Sequence, residues 1–177
     1  MITLEDAKDH LRVTHNMEDL YITSLVDAAY SIAETQTGRI FKPVEKTLVL
    51  DGLSHGREPI ELPWTPIIEL LSFEYIDADG MESELDTQKM LLDTRELYPK
   101  LYPQWNSLWP KSINEPESVR VTVNAGMATT PPDIRSALLL IIGHLYFNRE
   151  AVTGSSTAEL PMGVNYILGA HEIPRVG

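Results

Sequence analysis

The sequence predicts an α+β fold that is mainly an α-helical bundle with a small antiparallel β-rich insertion. Three observations predict it. Apolar residues recur at helical spacing towards both ends of the 177-residue chain. The middle contains short alternating runs that are typical of strands. Eight of the 12 prolines lie between Pro43 and Pro116, where they disfavour helices. We therefore expect a single domain, with residues 1–43 and 127–177 helical and residues 44–126 forming the insertion.

The chain opens with signals for two helices. Thr3 and Asp6 have the spacing of a capping box before a short first helix. A second helix is predicted from about Glu18 to Thr37, and Gly38 stands where a left-handed C-terminal cap belongs. Both predictions rest on apolar residues that share a helix face: Leu4, Ala7 and Leu11 in the first helix, and Ile22, Leu25, Val26, Ala29, Ile32 and Ala33 in the second.

The predicted insertion contains strands separated by turns and loops. Alternating runs predict three strands, at residues 47–50, 71–75 and 119–123. Within the second run, Leu71, Phe73 and Tyr75 are expected to share one face. Asp79-Gly80 predicts a two-residue hairpin turn after that strand. Between residues 86 and 117 the pattern is mixed, and we expect an ordered but irregular excursion.

Two more helices are predicted towards the C-terminus. Pro131 and Pro132 suit a helix start, because amides there have no partner within the helix. The segment from Ile134 to Glu150 is apolar all round, which predicts a central helix covered on several sides. Residues 154–157 are predicted to be a flexible link. A short final helix is expected to begin near Pro161.

The composition excludes several classes of protein. Lysines and arginines number 14 against 26 aspartates and glutamates, and the net charge of −12 argues against tight binding of nucleic acid. The absence of cysteine excludes disulfides and thiol chemistry. No apolar run reaches the roughly 20 residues of a membrane helix. The first residues lack a secretion signal, so we expect neither secretion nor a membrane partner.

The search for a metal or cofactor site finds only weak candidates. The densest metal-capable group lies in a loop, where solvated charges are the favoured interpretation; it comprises Asp51, His55, Glu58 and Glu61. Residues 77–80 are similar to the start of a calcium loop but lack its third acidic position, so the hairpin is favoured. We therefore expect no metal and no cofactor.

One histidine invites a catalytic interpretation. His144 lies on the apolar helix, with Asn148 one turn later. It is either the base of a small hydrolase, with a nucleophile from elsewhere in the fold, or a hydrogen-bonded structural imidazole. The second interpretation is favoured, since the sequence contains neither a phosphate-binding glycine loop nor a nucleophile elbow. We expect no catalytic residue and a protein that is not an enzyme.

The order of the segments resembles that of a known family, the head–tail connector (adaptor) proteins of tailed bacteriophages, often labelled possible DNA-packaging proteins. The resemblance covers nearly the whole chain and is weakest between residues 86 and 117. It is carried by the segments 2–13, 37–39, 50–52, 60–63, 75–80, 119–122, 125–126, 132–139, 143–152 and 160–164.

The resemblance implies a structural role in the virion neck. About twelve copies are expected to form a ring beneath the portal protein, which extends the DNA channel and docks the next tail component, a terminator or stopper protein. DNA then passes through without being tightly bound. Assembly is expected in the host bacterial cytoplasm. A subunit that is monomeric beforehand is compatible with this, because the portal can act as a template. No catalytic, cofactor or metal residue comes with the family.

Interface residues are predicted in two irregular segments and at one helix end. The tail from Pro161 to Val176 is expected to dock on the portal, and the excursion around Trp105 and Trp109 to touch a neighbour. Arg149 lies in a stretch that matches the family. The candidates are Trp105, Trp109, Arg149, Val164, Ile167, Leu168 and Ile173. The alternative functions are another virion-assembly factor, such as a tail-completion protein or packaging accessory, and the hydrolase that uses His144.

Overall fold

A computed structural model describes residues 1–54, 56–149 and 160–174. The chain divides into two compact units. The helical unit comprises Met1–Phe41 and Thr129–Gly177, and the sheet unit comprises Lys42–Ala128. The prediction of a single domain stays a prediction. In the described ranges, no helix combines the length and apolar character needed to cross a bilayer.

The helical unit contains the helices at the predicted places. Their bounds are α1 Leu4–Leu11, α2 Asp19–Thr37, α3 Pro132–Phe147 and α4 Met162–Gly169. Both predicted caps form. The Thr3 hydroxyl accepts from the Asp6 amide at 3.1 Å, while the Asp6 carboxylate accepts from the Thr3 amide at 2.9 Å. Gly38 ends α2 with φ +74° and donates to the Glu34 carbonyl at 2.8 Å. Local signals therefore define these helix ends.

Helix α3 is the central helix of this unit, since it packs against α1, α2 and α4. Its fully buried side chains meet those of α2 in one core, formed by Ile22, Ala29, Ala33, Ile134, Ala137, Leu138, Ile141 and Ile142. The helix is not covered all round: Leu140 is 41% exposed and Phe147 is 76% exposed. An apolar strip of α3 therefore remains at the surface of the unit.

The sheet unit contains two antiparallel sheets. Its strands are β1 Val44–Leu50, β2 Ile60–Glu61, β3 Ile67–Ile76, β4 Glu82–Glu84, β5 Met90–Asp93, β6 Lys100–Pro103 and β7 Val119–Ala125. The four-stranded sheet has the order β1-β7-β3-β4, and the three-stranded sheet has the order β2-β6-β5. Strand β7 lies inside the larger sheet, and Val119, Val121 and Val123 are fully buried there.

The predicted common face of Leu71, Phe73 and Tyr75 is wrong for its first member. Against β7, the register of β3 shifts between Ile67 and Glu69 and again between Leu70 and Ser72. Each shift adds one unpaired residue, Ile68 and then Leu71. Leu71 is consequently 42% exposed, although Phe73 is fully buried.

The predicted fold class, mainly a helical bundle with a small β-rich insertion, is wrong. Four helices stand beside seven strands in two sheets, and the described chain is about 33% helix and 24% strand. The strands that were not predicted are β2 and β4, which are only two and three residues long, and β5 and β6, which lie in the expected irregular excursion. Pro99 precedes β6 and Pro103 ends it, which are positions where a strand tolerates proline.

Candidate interaction surfaces

The candidate metal groups do not form in the described part of the chain. No set of three or more histidine, aspartate and glutamate side chains is arranged there to hold an ion. His55 lies outside the described residues. The Asp77 carboxylate accepts from the amides of Asp79 and Met81 at 2.9 and 3.0 Å, and Gly80 has φ +79°. The predicted hairpin is therefore confirmed, but its turn is longer than two residues, because the Asp77 amide donates to the Met81 carbonyl at 2.9 Å. The Asp77 side chain serves this turn.

The His144 imidazole takes part in ending helix α3. Its Nδ1 lies 3.3 Å from Asn148 Nδ2, and the same amide group donates to the His144 carbonyl at 2.8 Å. The Asn148 backbone amide also donates to that carbonyl, at 3.1 Å. These bonds are the capping pattern of a helix C-terminus and bring no nucleophile to the ring.

A group of polar and aromatic side chains joins the start of α2 to the end of α3 in the helical unit. We call it the Arg149 cluster: Glu18, Tyr21, Tyr146 and Arg149. Glu18 accepts from the Tyr146 hydroxyl at 2.6 Å and pairs with the Arg149 guanidinium at 2.7 Å. The guanidinium lies 4.4 Å from the centre of the Tyr146 ring and 4.7 Å from that of Tyr21. One arginine thus holds a carboxylate and two aromatic rings together.

The charges of the Arg149 cluster support one another. The hydrogen bond from Tyr146, and then that from Arg149, hold the pKa of the Glu18 carboxyl below its ordinary value. The same bond to Glu18 raises the pKa of the Tyr146 hydroxyl. Both side chains that bind Glu18 therefore favour its ionised form at neutral pH.

Replacement of Glu18 by glutamine is expected to lower the melting temperature by a few degrees at pH 7. Because the folded pKa lies below the ordinary value of 4.5, the stabilisation is complete above that pH and is lost on further acidification. The difference between wild type and Glu18→Gln should therefore shrink as the pH falls towards 3. Calorimetry across this range measures it. Glu115→Gln, in an exposed loop, is the control, and a difference independent of pH would contradict the assignment.

Exposed apolar side chains adjoin the Arg149 cluster in the sequence. Met17 and Leu20, beside Glu18 and Tyr21, are 87% and 90% exposed. Phe147 meets the Tyr146 ring edge-on at 5.5 Å. An ordered arginine and aromatic group next to exposed apolar residues is typical of a protein-binding surface. Met17, Leu20 and Phe147 were not predicted from the sequence, although they are apolar residues outside the buried helix stripes.

The two tryptophans of the predicted excursion differ in position. Trp109 is buried: its ring stacks on Phe73 at 5.4 Å, and its indole nitrogen donates to the Glu58 carbonyl at 2.7 Å. Trp105 is 88% exposed and lies against the Arg57 guanidinium, 5.2 Å from its ring centre. Trp109 therefore anchors the loop that displays Trp105 at the surface.

Most of the predicted C-terminal interface residues lie in the core of the helical unit. Val164, Leu168 and Ile173 are buried, and Ile167 is half-buried. The Ile173 amide donates to the Thr37 carbonyl at 2.8 Å, which ties the described tail to α2. The exposed side of α4 instead carries Met162 and Tyr166, which are 89% and 84% exposed and which no sequence pattern predicted as interface residues. Residues 175–177 lie outside the described part.

Several solved structures share this fold over nearly the whole chain. A chain of the neck of an empty gene transfer agent particle, computed with C6 symmetry, is 21% identical with a TM-score of 0.77, over 99% of this chain and 91% of that one. A chain of the native gene transfer agent virion has a TM-score of 0.76 at 21% identity, with the same coverage. A chain of the native neck computed with C12 symmetry reaches 0.72 at 20% identity, covering 98% and 89%. No curated protein sequence matches the chain.

The sequence relationship complements this shared fold. Residues 1–87 match the family model of phage gp6-like head–tail connector proteins. The predicted resemblance is thereby confirmed, and with it the prediction of a structural protein of the phage neck that is not an enzyme. The alternative prediction, a small hydrolase that uses His144, is therefore wrong. Over its first 87 residues, the chain is thus similar to the phage gp6-like head–tail connector family.

Proposed function

We propose that the chain is the ring-forming adaptor of a particle neck, which binds beneath the portal, extends the DNA channel and docks the next tail component. The observation that carries the proposal is the likeness, over almost the full length of both chains, to proteins of necks computed with C6 and C12 symmetry. A cyclic ring requires two different faces on each subunit.

The exposed apolar side chains of the two units support this proposal. The helical unit displays Met17, Leu20 and Phe147 beside the Arg149 cluster, and the sheet unit displays Trp105. Large side chains this exposed are costly to leave in water, and they are the usual anchors of protein interfaces. We assign them to contacts with neighbouring copies, the portal and a stopper or terminator protein.

The charge of the chain suits a conduit for DNA. Twelve copies, as in the C12 neck, would together carry a formal charge of about −144. Acidic groups that face a channel repel phosphate, so DNA passes without being held. We place the protein in the virion neck, assembled in the host bacterial cytoplasm on the portal from subunits that start as monomers.

Electron microscopy of the purified protein mixed with portal rings of the same particle tests the proposal. We expect an added collar of density with cyclic symmetry. Phe147→Asp should weaken or abolish the collar, because it places a charge in the apolar surface. Ser31→Asp, which makes the same charge change on an exposed position of α2, is the matched control. Intact portal rings without a collar would contradict the proposal.

A further inference from the structure

The two sheets leave open edges of different kinds. Strands β1 and β4 end the larger sheet, while β2 and β5 end the smaller one. Every open edge offers unpaired amides and carbonyls that a strand of another chain can bind. Natural sheets normally protect such edges with charges, bulges or very short strands.

Two of these edges, and the part of β3 that β4 leaves unpaired, carry such protection. Strand β2 is two residues long, and β4 is three residues long with two glutamates. Strand β3 is paired with β4 only over Glu74–Ile76, and the part before it contains the shifts at Ile68 and Leu71. These edges are unsuited to a long added strand.

Strands β1 and β5 are less protected: they are longer than β2 and β4, they contain no bulge, and their charged residues lie towards one end, Glu45 and Lys46 in β1 and Asp93 in β5. Strand β1 pairs with β7 over seven residues without a shift, and β5 pairs with β6 over four residues without a shift. Both display an apolar side chain to solvent: Val49 is 43% exposed and Leu91 is 60% exposed. The sheet unit thus has two regular edges with exposed apolar side chains, which no strand in the described residues covers.

Pairing within each sheet shows which side chains of β1 and β5 face the core. On β1, Leu48 and Leu50 lie opposite the buried Val121 and Val119. On β5, Leu92 and Met90 lie opposite the buried Leu101 and Pro103. An added strand must keep this sidedness, because a slip of one residue turns its apolar side chains to the wrong face.

Only one antiparallel register then matches apolar and charged residues. It places Leu48 opposite Leu92, Val49 opposite Leu91, and Glu45 opposite Arg95, which lies just beyond the end of β5. A slip of two residues in one direction sets Asp93 against Glu45. A slip of two in the other direction sets Leu91 against Asp51. Like charges opposite one another, or a charge against an exposed leucine, disfavour these alternatives.

We propose that the β1 edge of one copy pairs with the β5 edge of the next copy, so that the two sheets continue across each subunit boundary. This inference rests on the proposed ring and names its contact. Because each copy offers both edges once, the contact repeats in one direction and can close a ring. Pairing of β1 with β1 would instead stop at a dimer.

Single-cysteine variants test this contact directly, since the chain has no cysteine of its own. Val49→Cys and Leu91→Cys copies with different tags are mixed, assembled on portal rings, checked for a collar by electron microscopy and then oxidised. Directly opposed residues of an antiparallel pair are close enough for a disulfide. We expect a dimer band that contains both tags. Neither variant assembled alone should form it.

A matched pair controls for chance collisions. Leu48→Cys mixed with Leu91→Cys moves one cysteine to the adjacent residue, which faces the other side of the sheet, and its yield should be several-fold lower. Charge reversal is the second measurement: Glu45→Arg should lower the fraction of assembled subunits several-fold, and addition of Arg95→Glu should restore it. The side-chain bond from Arg95 to Asp93 keeps that guanidinium beside the strand.

The outcomes separate this inference from the proposed function. A collar with the predicted mixed dimer supports both. A collar without it, or with equal yield from the Leu48 pair, overturns the strand contact and leaves the adaptor function standing. Dimers of Val49→Cys with itself would point to the two-copy arrangement and also overturn the contact. Absence of the collar contradicts the proposed function itself.

Discussion

Replacement of Gly126 by alanine is expected to destabilise the sheet unit by about 3–5 kcal/mol. A Cβ atom at this position would lie 2.3 Å from the Lys42 carbonyl oxygen and 2.7 Å from its carbon. Both are backbone atoms just before β1, so they cannot rotate away as a side chain does. The residue also has φ +122°, which L residues rarely adopt.

The position of Gly126 explains why relaxation is difficult. Its amide donates to the Pro66 carbonyl at 2.8 Å, just before β3, while its Cα faces Lys42, just before β1. The residue follows β7 directly, so three chain segments meet there. A shift that relieves one contact disturbs the ends of neighbouring strands.

Urea unfolding followed by circular dichroism measures the effect, and the melting temperature should fall by about 10 °C. Gly80→Ala is the matched control. Gly80 also has positive φ, at +79°, but a Cβ there would meet nothing within 4 Å. It should cost only about 1 kcal/mol, the conformational penalty alone. Equal losses for the two variants would show that the contact with Lys42 is unimportant.

Replacement of Phe73 by alanine is expected to cost about 3–5 kcal/mol, because it removes a fully buried aromatic ring and leaves a cavity. The ring stacks on Trp109 at 5.4 Å with an interplanar angle of 10°. The substitution therefore also frees the tryptophan that anchors the Trp105 loop. We expect a lower midpoint in urea together with a reduced near-ultraviolet dichroism signal from tryptophan.

Leu71→Ala provides the control on the same strand. Leu71 is two residues away and equally apolar, but it is an exposed bulge residue. Its removal should change stability by about 0.5 kcal/mol or less, as is usual at the surface. If Leu71→Ala were as harmful as Phe73→Ala, the bulge in β3 would be misplaced and the simple alternation predicted from the sequence would be correct.

The helices were predictable because their signals are local. The Thr3 capping box, the Gly38 cap and the proline start of α3 act within one or two turns. Helical periodicity needs no knowledge of the partner element. The strands between residues 86 and 117 were missed because a strand is stabilised by residues distant in sequence, and its prolines lie at strand ends where pairing tolerates them.

For the predicted interface residues, too, the sequence identified candidates, but only the tertiary structure determined which of them are exposed. Trp105 and Trp109 are equivalent in sequence, but a hydrogen bond to Glu58 and a stacked ring bury one and leave the other exposed. Arg149 was selected from the family pattern alone. Its link to Glu18, 131 positions earlier in the chain, depends on helices that meet only after folding.

By itself the sequence determined the positions of four helices, the acidic charge, the lack of thiol chemistry and the resemblance to head–tail connector proteins over residues 1–87. These properties are additive or local, so they can be read residue by residue. Only the tertiary structure decided the balance of sheet and helix, the bulges that expose Leu71, and which apolar residues remain at the surface. Burial depends on contacts between distant segments, and no local pattern encodes the register that creates them.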